Sequence, residues 1–360
     1  MSAEASMAPD LNWGDAGPGT LRVVELSASD RDRWDAFVEA CPSATFFHYS
    51  GWREVIEQAF RHKGHYLYAE RSGKIEGILP LVHLKSLLFG NALISNPFCV
   101  YGGVAAVTDA AYAALTAAAA DLAETLGVDY LEYRNRDRCD PDMVTKDLYV
   151  TFRKPLFADD EENMRAIPRK QRAMVRKGIK AGLQSEVDDE LDRFYAAYAE
   201  SVRNLGTPVF GVHYFRVLKR VFSDRCDILT VTKDGRLISS VLSFYFRDEV
   251  LPYYGGGVQE ARNVKGNDFM YWELIRRSAE RGVRLFDYGR SKRDSGSYSF
   301  KKNWGFEPEP LHYQYHLVKA RELPDVSPMN PKYRLFIAAW KRLPVPVSRW
   351  LGPMVARNLG

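Results

Sequence analysis

The feature that most narrows the folds open to this chain is a recurrence. Gly127-Val128 followed by Leu131-Glu132-Tyr133 lines up, at one constant offset, with Gly282-Val283 followed by Phe286-Asp287-Tyr288. The elements around the two copies recur in the same order. In the first, Tyr66 to Glu70, a Ser72-Gly73 turn, Ile75 to Leu84 and Ala92 to Tyr101 read as an antiparallel meander closed by Gly102-Gly103. An Ala-rich helix over Asp109 to Leu126 stops at Gly127, a residue suited to the left-handed position after a helix, and a strand over Tyr130 to Tyr133 follows. In the second, Ile228 to Thr232, Leu237 to Phe246 and Val250 to Tyr254 make the meander and Gly255-Gly256 closes it. A helix over Asp268 to Glu280 then stops near Gly282, and the strand Leu285 to Tyr288 returns. Two copies of one unit, each a mixed sheet with a helix linking strand ends, give an α/β fold of the mixed α+β kind.

This reading divides the 360 residues into a mobile tail over 1–20, a first unit over 21–158, a basic connecting helix over 159–184, a second unit over 185–320 and a basic amphipathic tail over 321–360. Each unit is long enough to bury its own core. The net charge of +4 argues against a protein that works by overall basicity, so the distribution of charge carries the information. Cys41, Cys99, Cys139 and Cys226 have no paired spacing, which fits a reducing compartment and offers no thiolate metal site. His312 and His316 share a strand face without an acidic or thiol partner nearby, so no metal is expected. No apolar run reaches the ~20 residues of a membrane span and the start lacks a secretory pattern, so the cytoplasm is the expected location.

Chemistry concentrates between Val283 and Phe306. Asp287 stands in an apolar strand, where an ionised carboxylate is costly unless paired or hydrogen-bonded. The strand breaks at Gly289 into Arg290, Ser291 and Lys292, and Lys301, Lys302 and Trp304 follow within a short helix's length. A second charged feature lies between the units. After Pro168, which suits a first helical turn, Arg169, Arg172, Arg176 and Lys180 recur on one face with Lys170 and Lys177 beside them. Such a stripe can bind phosphates of a nucleic acid or of a lipid-linked sugar; the plainer reading is a solvated face whose opposite side packs through Val175 and Ile179. The tail beyond Asp325 has six Lys or Arg and no acid, with Tyr333, Phe336, Ile337, Trp340, Trp350 and Leu351 among them, which fits a helix on an anionic membrane and equally one docked on its own protein.

The order strand, turn, strand, strand, glycine-rich loop, helix, strand resembles the acyltransferase fold of the GCN5-related N-acetyltransferases (GNAT), and its duplication resembles the FemAB family of peptidyl and aminoacyl transferases. The wording of the second half, VLSFYFRDEVLPYYGGG, FDYGRSKR and FKKNWGFEPEPLHYQY, is similar to the FemAB-like subgroup associated with exosortase and PEP-CTERM exopolysaccharide systems. The likeness covers nearly all of residues 21–360.

The resemblance implies two tandem GNAT-like acyltransferase units that transfer an acyl or aminoacyl group to an amine or hydroxyl of a cell-envelope or exopolysaccharide precursor. It implies no bound cofactor; the donor, aminoacyl-tRNA or acyl-CoA, is a cosubstrate, and no oligomeric state follows. Asp287 is the expected base or orienter, Lys301 and Lys302 are expected to meet phosphate or the oxyanion, and Tyr254 joins them as a catalytic candidate. Tyr253, Arg290, Lys292 and Trp304 are expected to contact substrate, as are Arg169, Lys170, Arg172 and Arg176 of the basic helix and Asn204 in a loop bordering the acceptor groove. Gly256, Gly257, Arg262 and Lys265 occupy the region that wraps a donor pyrophosphate in this fold, although their spacing is longer than the usual loop and Asp268 at the helix start would repel a phosphate. Partners expected on this basis are the precursor, tRNA and the inner membrane surface. Acyl-CoA as sole donor, and a non-catalytic module that holds a glycan or protein in the same groove, are the alternatives.

Overall fold

The computed structural model describes residues 19–86, 90–138, 140–323 and 331–358. The expected tail over 1–20 lies almost entirely outside the described residues, as does Cys139.

Two mixed sheets form the molecule. The first runs through Arg22–Glu25, Lys63–Arg71, Lys74–Ser86, Gly90–Ser95, Tyr130–Asn135, His312–Leu317 and Val144–Lys146. The second runs through Ser291–Lys292, Tyr149–Pro155, Leu285–Asp287, Glu249–Gly257, Arg236–Phe246, Cys226–Lys233 and Gln184–Val187. Each contains one parallel pair, Gly90–Ser95 with Tyr130–Asn135 and Glu249–Gly257 with Leu285–Asp287. A helix makes each crossover: Asp109–Leu126, capped by Thr108 Oγ1 accepting from Ala111 N at 3.2 Å and ended by Gly127 at φ +59°, and Gly266–Glu280. The repeat in the sequence is thus a repeat in the fold.

The strand expected over Ala92 to Tyr101 ends at Ser95. Pro97 has no N–H to give a ladder, and Asn96 turns away at φ +46° with its side chain bonded to the Phe47 carbonyl and the Tyr66 hydroxyl.

The units are interlocked. Tyr149–Pro155, which precedes the connecting helix, pairs with Leu285–Asp287 in the second sheet, whereas His312–Leu317, from the far end of the chain, pairs with Tyr130–Asn135 in the first. Each sheet is completed by a strand from the other half of the sequence. The expectation of one private core per unit gives way accordingly. Phe46 of the first unit stacks on Phe244 of the second with ring centroids 4.4 Å apart, and Trp52 meets Phe222 at 5.2 Å, inside one continuous cluster of buried aromatics.

Candidate active site

The parallel strands of the second sheet pair at Glu249–Leu285 and Val250–Phe286. Just beyond, Glu249–Gly257 carries a bulge against its other neighbour: Leu242 faces Tyr254 and Ser243 faces Pro252, which leaves Tyr253 without a register partner. Pro252 could not donate to the ladder in any case. Beside this irregular strand lies a pocket of about 400 Å³. Tyr253, Tyr254, Tyr271, Tyr288 and Phe300 come from the second unit, and Phe98 and Val100 reach in from the loop after Ser95 in the first. Its polar groups are Arg134, Arg290, Ser297 and Lys301, and no carboxylate lines it among the described residues.

Lys301 is held by the Gly296–Asn303 helix, whose start is fixed by Ser295 Oγ accepting from Tyr298 N at 3.2 Å. Its Nζ donates to the carbonyls of Gly289 at 2.8 Å and Arg290 at 3.0 Å. Only 9% of the residue is exposed. Burial pushes the amine down to about 7; Asp287 opposes that shift and Arg290 adds to it.

Asp287 lies behind this lysine, fully buried, and does not line the pocket. It accepts from Gly289 N at 2.8 Å and the Tyr101 hydroxyl at 3.0 Å, with Arg153 Nε 3.5 Å away. Burial raises its carboxyl above the ordinary range, with Arg153 as the largest opposing influence. A carboxylate so occupied cannot reach a substrate proton. What it does is hold the turn at Gly289, φ +67°, whose carbonyl in turn holds Lys301. Of the two roles expected for Asp287, the geometry fits the orienter.

Arg290 donates from Nη1 to the Tyr313 hydroxyl at 3.1 Å and lies 4.6 Å from the Tyr149 ring centre. Arg134 is paired with Glu132 at 2.8 Å and donates to the Cys99 carbonyl at 2.7 Å. The Tyr253 hydroxyl donates to the Phe98 carbonyl at 2.9 Å, and those of Tyr254 and Tyr214 bond to each other at 2.8 Å. Burial carries both hydroxyls of the Tyr253–Tyr254 pair well above their ordinary range, so both are held in the protonated form at neutral pH.

Several expected contacts fall elsewhere. Lys302 is exposed, 5.9 Å from the Tyr298 ring centre and outside the pocket, because one residue along a helix turns the side chain by about 100°. Trp304 is 1% exposed and packs near Tyr271 and Phe300 in the core. Lys292 and Asn204 do not line the pocket either; Asn204 is exposed at the end of the Leu191–Leu205 helix. At the expected pyrophosphate cradle the glycines are packed against helices. A Cβ on Gly256 would come within 2.2 Å of Ser201 Cβ, and one on Gly257 within 2.5 Å of Ala261 Cβ, so these glycines exist for close helix packing. Arg262 is exposed and Lys265 turns back onto the Arg262 carbonyl at 3.0 Å. Asp268 is bonded by Gln171, with its carboxyl pushed up to about 6 by burial, which blunts the repulsion expected of it.

On the Arg169–Lys180 helix, Gln171, Val175 and Gly178 face the protein, and Gly178 lies so near Phe269 that a Cβ would approach it to 2.8 Å. Arg169, Lys170 and Arg176 are exposed. Arg172 instead donates to the Ile167 and Arg165 carbonyls at 3.0 and 3.1 Å, a structural clamp on the preceding turn. Ile179, expected on the packed side, is 47% exposed. In the tail, the Val345–Ala356 helix docks through Ser348, Gly352 and Ala356, with the Arg357 carbonyl accepting from His62 Nε2 at 2.6 Å. Its other face leaves Val347, Trp350 and Met354 in solvent, Trp350 at 71% exposure. Side chains of Pro331 to Leu335, Tyr333 among them, lie outside the described set.

Residue reading missed Arg134, Phe98, Phe210 and Tyr271 as pocket residues. Arg134 alone had a signal, a cation directly after the repeated Leu131-Glu132-Tyr133 run.

Residues 169–302, from the basic helix to just past Lys301, match the family model described as acetyltransferase (GNAT) domain. No curated protein sequence matches the chain. Among solved structures the chain is similar to FemX, at 15% identity over 88% of this chain and 100% of that one, with a TM-score of 0.66. It is also similar to a tandem GNAT protein from the clavulanic acid biosynthesis pathway, at 15% identity over 84% of this chain and 100% of that one, with a TM-score of 0.52. The fold is therefore that of the tandem GNAT proteins. Most of the residues that line the pocket, Lys301 among them, lie within the span that matches the GNAT domain, whereas Phe98, Val100 and Arg134 lie outside it.

Proposed function

We propose that the protein transfers an acyl or aminoacyl group to an amine or hydroxyl of a cell-envelope or exopolysaccharide precursor, with Lys301 as the proton acceptor. The observation that carries this reading is the bonding of Lys301. A neutral amine has two N–H bonds and one lone pair. Both N–H bonds are absorbed by the carbonyls of Gly289 and Arg290, and the lone pair is the valence left to the pocket. An amine pushed down to about 7 is neutral in a large fraction of molecules at cytoplasmic pH, and its conjugate acid is strong enough to return the proton.

The step balances without a further group. As the acceptor nitrogen or oxygen attacks the donor carbonyl, its proton passes to Lys301 Nζ, the bond from carbonyl carbon to the leaving oxygen or sulfur breaks, and Lys301 returns the proton to the leaving group. A ribose hydroxyl needs that proton, whereas a thiolate, with a pKa near ~8.5, leaves readily without it. A lysine that both takes and gives suits the first, so aminoacyl-tRNA is the favoured donor; acyl-CoA is the second reading, favoured by the match of residues 169–302 to the acetyltransferase domain. Arg169, Lys170 and Arg176 supply exposed charge for the tRNA backbone. The outward face of the tail helix supplies contact with the cytoplasmic membrane surface, where lipid-linked precursors reside. The resemblance of the second half to the exosortase-associated FemAB-like subgroup supports an exopolysaccharide precursor as acceptor.

Mass spectrometry of reactions containing charged tRNA or acetyl-CoA with an amine acceptor tests the reading. Acylated acceptor should form with wild-type protein and not with folded Lys301→Met. Absence of product from both donors over a broad acceptor set would overturn it.

A further inference from the structure

Arg290 is a cation without a counter-ion. Its guanidinium carries five N–H donors, of which one bond, to the Tyr313 hydroxyl at 3.1 Å, is made. Its flat faces meet tyrosines, with ring centres at 4.6 Å for Tyr149 and 5.6 Å for Tyr313. No carboxylate lies within ion-pair distance of it among the described residues. Its neighbours differ in this respect: Arg134, on the same pocket, is neutralised by Glu132 at 2.8 Å, and Arg153, behind it, has Glu249 together with Asp287. Asp287, three residues earlier, is already taken by Gly289 N, Tyr101 and Arg153.

A guanidinium stays charged at any pH the protein meets, and holding one among aromatic rings with no anion costs free energy that a bound anion would recover. The remaining donors form a planar fork of the kind that matches two oxygens of a carboxylate or phosphate. The pocket offers them no anion of its own, since none of its lining residues is acidic. Lys301 Nζ bonds to the carbonyl of Arg290 itself at 3.0 Å, so the fork and the proton acceptor are set in one turn.

We propose that the substrate acylated in this pocket carries a carboxylate or phosphate group that binds Arg290, a few bonds from the amine or hydroxyl presented to Lys301. This deepens the transfer reading given above and rests on it for the role of Lys301; the anion site stands on Arg290 alone. Acceptors that are neutral around the reacting group bind poorly, and acceptors with a second cationic group are repelled by a guanidinium that faces no acid.

Three primary amines of similar reach test this: β-alanine with a carboxylate, O-phosphoethanolamine with a phosphate, and ethanolamine with neither. Melting temperature of the full chain is measured with each amine alone, and initial rates are measured with each as acceptor. The expected result is a concentration-dependent rise in melting temperature with one or both anionic amines, none with ethanolamine, and loss of the rise in Arg290→Met. With turnover, Arg290→Met should raise KM for the preferred anionic amine by about 10²-fold, as losing one partner of a close charge pair does, and bring the preference over ethanolamine near unity. The carboxylate and phosphate arms identify the anion. Arg290→Lys, which keeps the charge but not the fork, covers misfolding of the Met variant and should bind the anionic amine more weakly than wild type. A rise equal in wild type and both folded variants, or no rise with either anion, would overturn the proposal. Anion binding through Arg290 without any acylated product would leave the site in place and remove the transfer reading instead.

Discussion

Replacing Lys301 with Met converts the depressed amine into a stability measurement that needs no substrate. The unfolded chain holds this proton up to its ordinary value of 10.5, the folded chain only to about 7. Between those values the unfolded state binds more protons, so wild-type stability rises with pH across that window and the cost of the buried cation is fully present below it. At about 1.4 kcal/mol per pH unit the wild type should gain roughly 2 to 3 kcal/mol between about pH 6 and pH 9 from this residue alone. Methionine has no proton to lose. The Met variant also forfeits bonds to the Gly289 and Arg290 carbonyls, but that loss does not vary with pH. Urea unfolding of both proteins at several pH values isolates the effect, because titrating groups that do not interact with Lys301 cancel in the difference. The stability of the Met variant minus that of wild type should increase as pH falls through the window. A difference independent of pH would mean that Lys301 is an ordinary exposed ammonium in solution, and the argument for a neutral amine would fail.

Further outcomes follow from the same geometry. Asp287→Asn removes the carboxylate that steadies the Lys301 cation and pairs with Arg153, so stability should fall by about 3 to 5 kcal/mol and the ascending limb of the pH–rate profile should move to lower pH; an unmoved profile in a folded variant would separate Asp287 from the lysine. Gln at Arg169, Lys170 and Arg176 together should reduce the slope of log affinity for tRNA against log salt by about 2 to 3, whereas Arg172→Gln should instead lower stability because it frees the Ile167 and Arg165 carbonyls. Equal slopes in wild type and triple variant would take tRNA off that helix. Val347→Ser, Trp350→Ala and Met354→Ser combined should abolish cosedimentation with phosphatidylglycerol vesicles at unchanged melting temperature, since these side chains face away from the docked Ser348, Gly352 and Ala356; a large fall in melting temperature would mark that face as internal packing.

Local rules made much of the fold readable. Gly127 ends one crossover helix in the left-handed conformation as expected of it, and Gly282, at φ +82°, follows the other, so the repeat emerged from turn chemistry and strand patterning. What stayed hidden was partner choice. Nothing in His312–Leu317 says that it pairs with Tyr130–Asn135, far earlier in the chain, because alternation fixes which face of a strand is buried and not which strand lies beside it. The same limit governs the site. Lys301 and Arg290 could be singled out as cations after a strand break, but the depression of the lysine depends on rings and carbonyls that only the fold assembles. Lys301 and Lys302 are indistinguishable as letters; the Gly296–Asn303 helix sends one into the pocket and the other into solvent. Gly256 and Gly257 are ambiguous for a related reason, since a close approach to Ser201 or Ala261 demands the same residue as a phosphate would.

The most direct test of the account is the pH dependence of kcat/KM for acyl transfer, measured on wild type and on folded Lys301→Met. Proton acceptance by Lys301 predicts a rate that climbs with pH and levels off above an inflection near 7, and a variant slower by about 10² to 10⁴ that has lost this inflection. A wild-type rate that falls as pH rises through 7, the behaviour of a lysine needed as a cation, or a Met variant of undiminished activity, would contradict it.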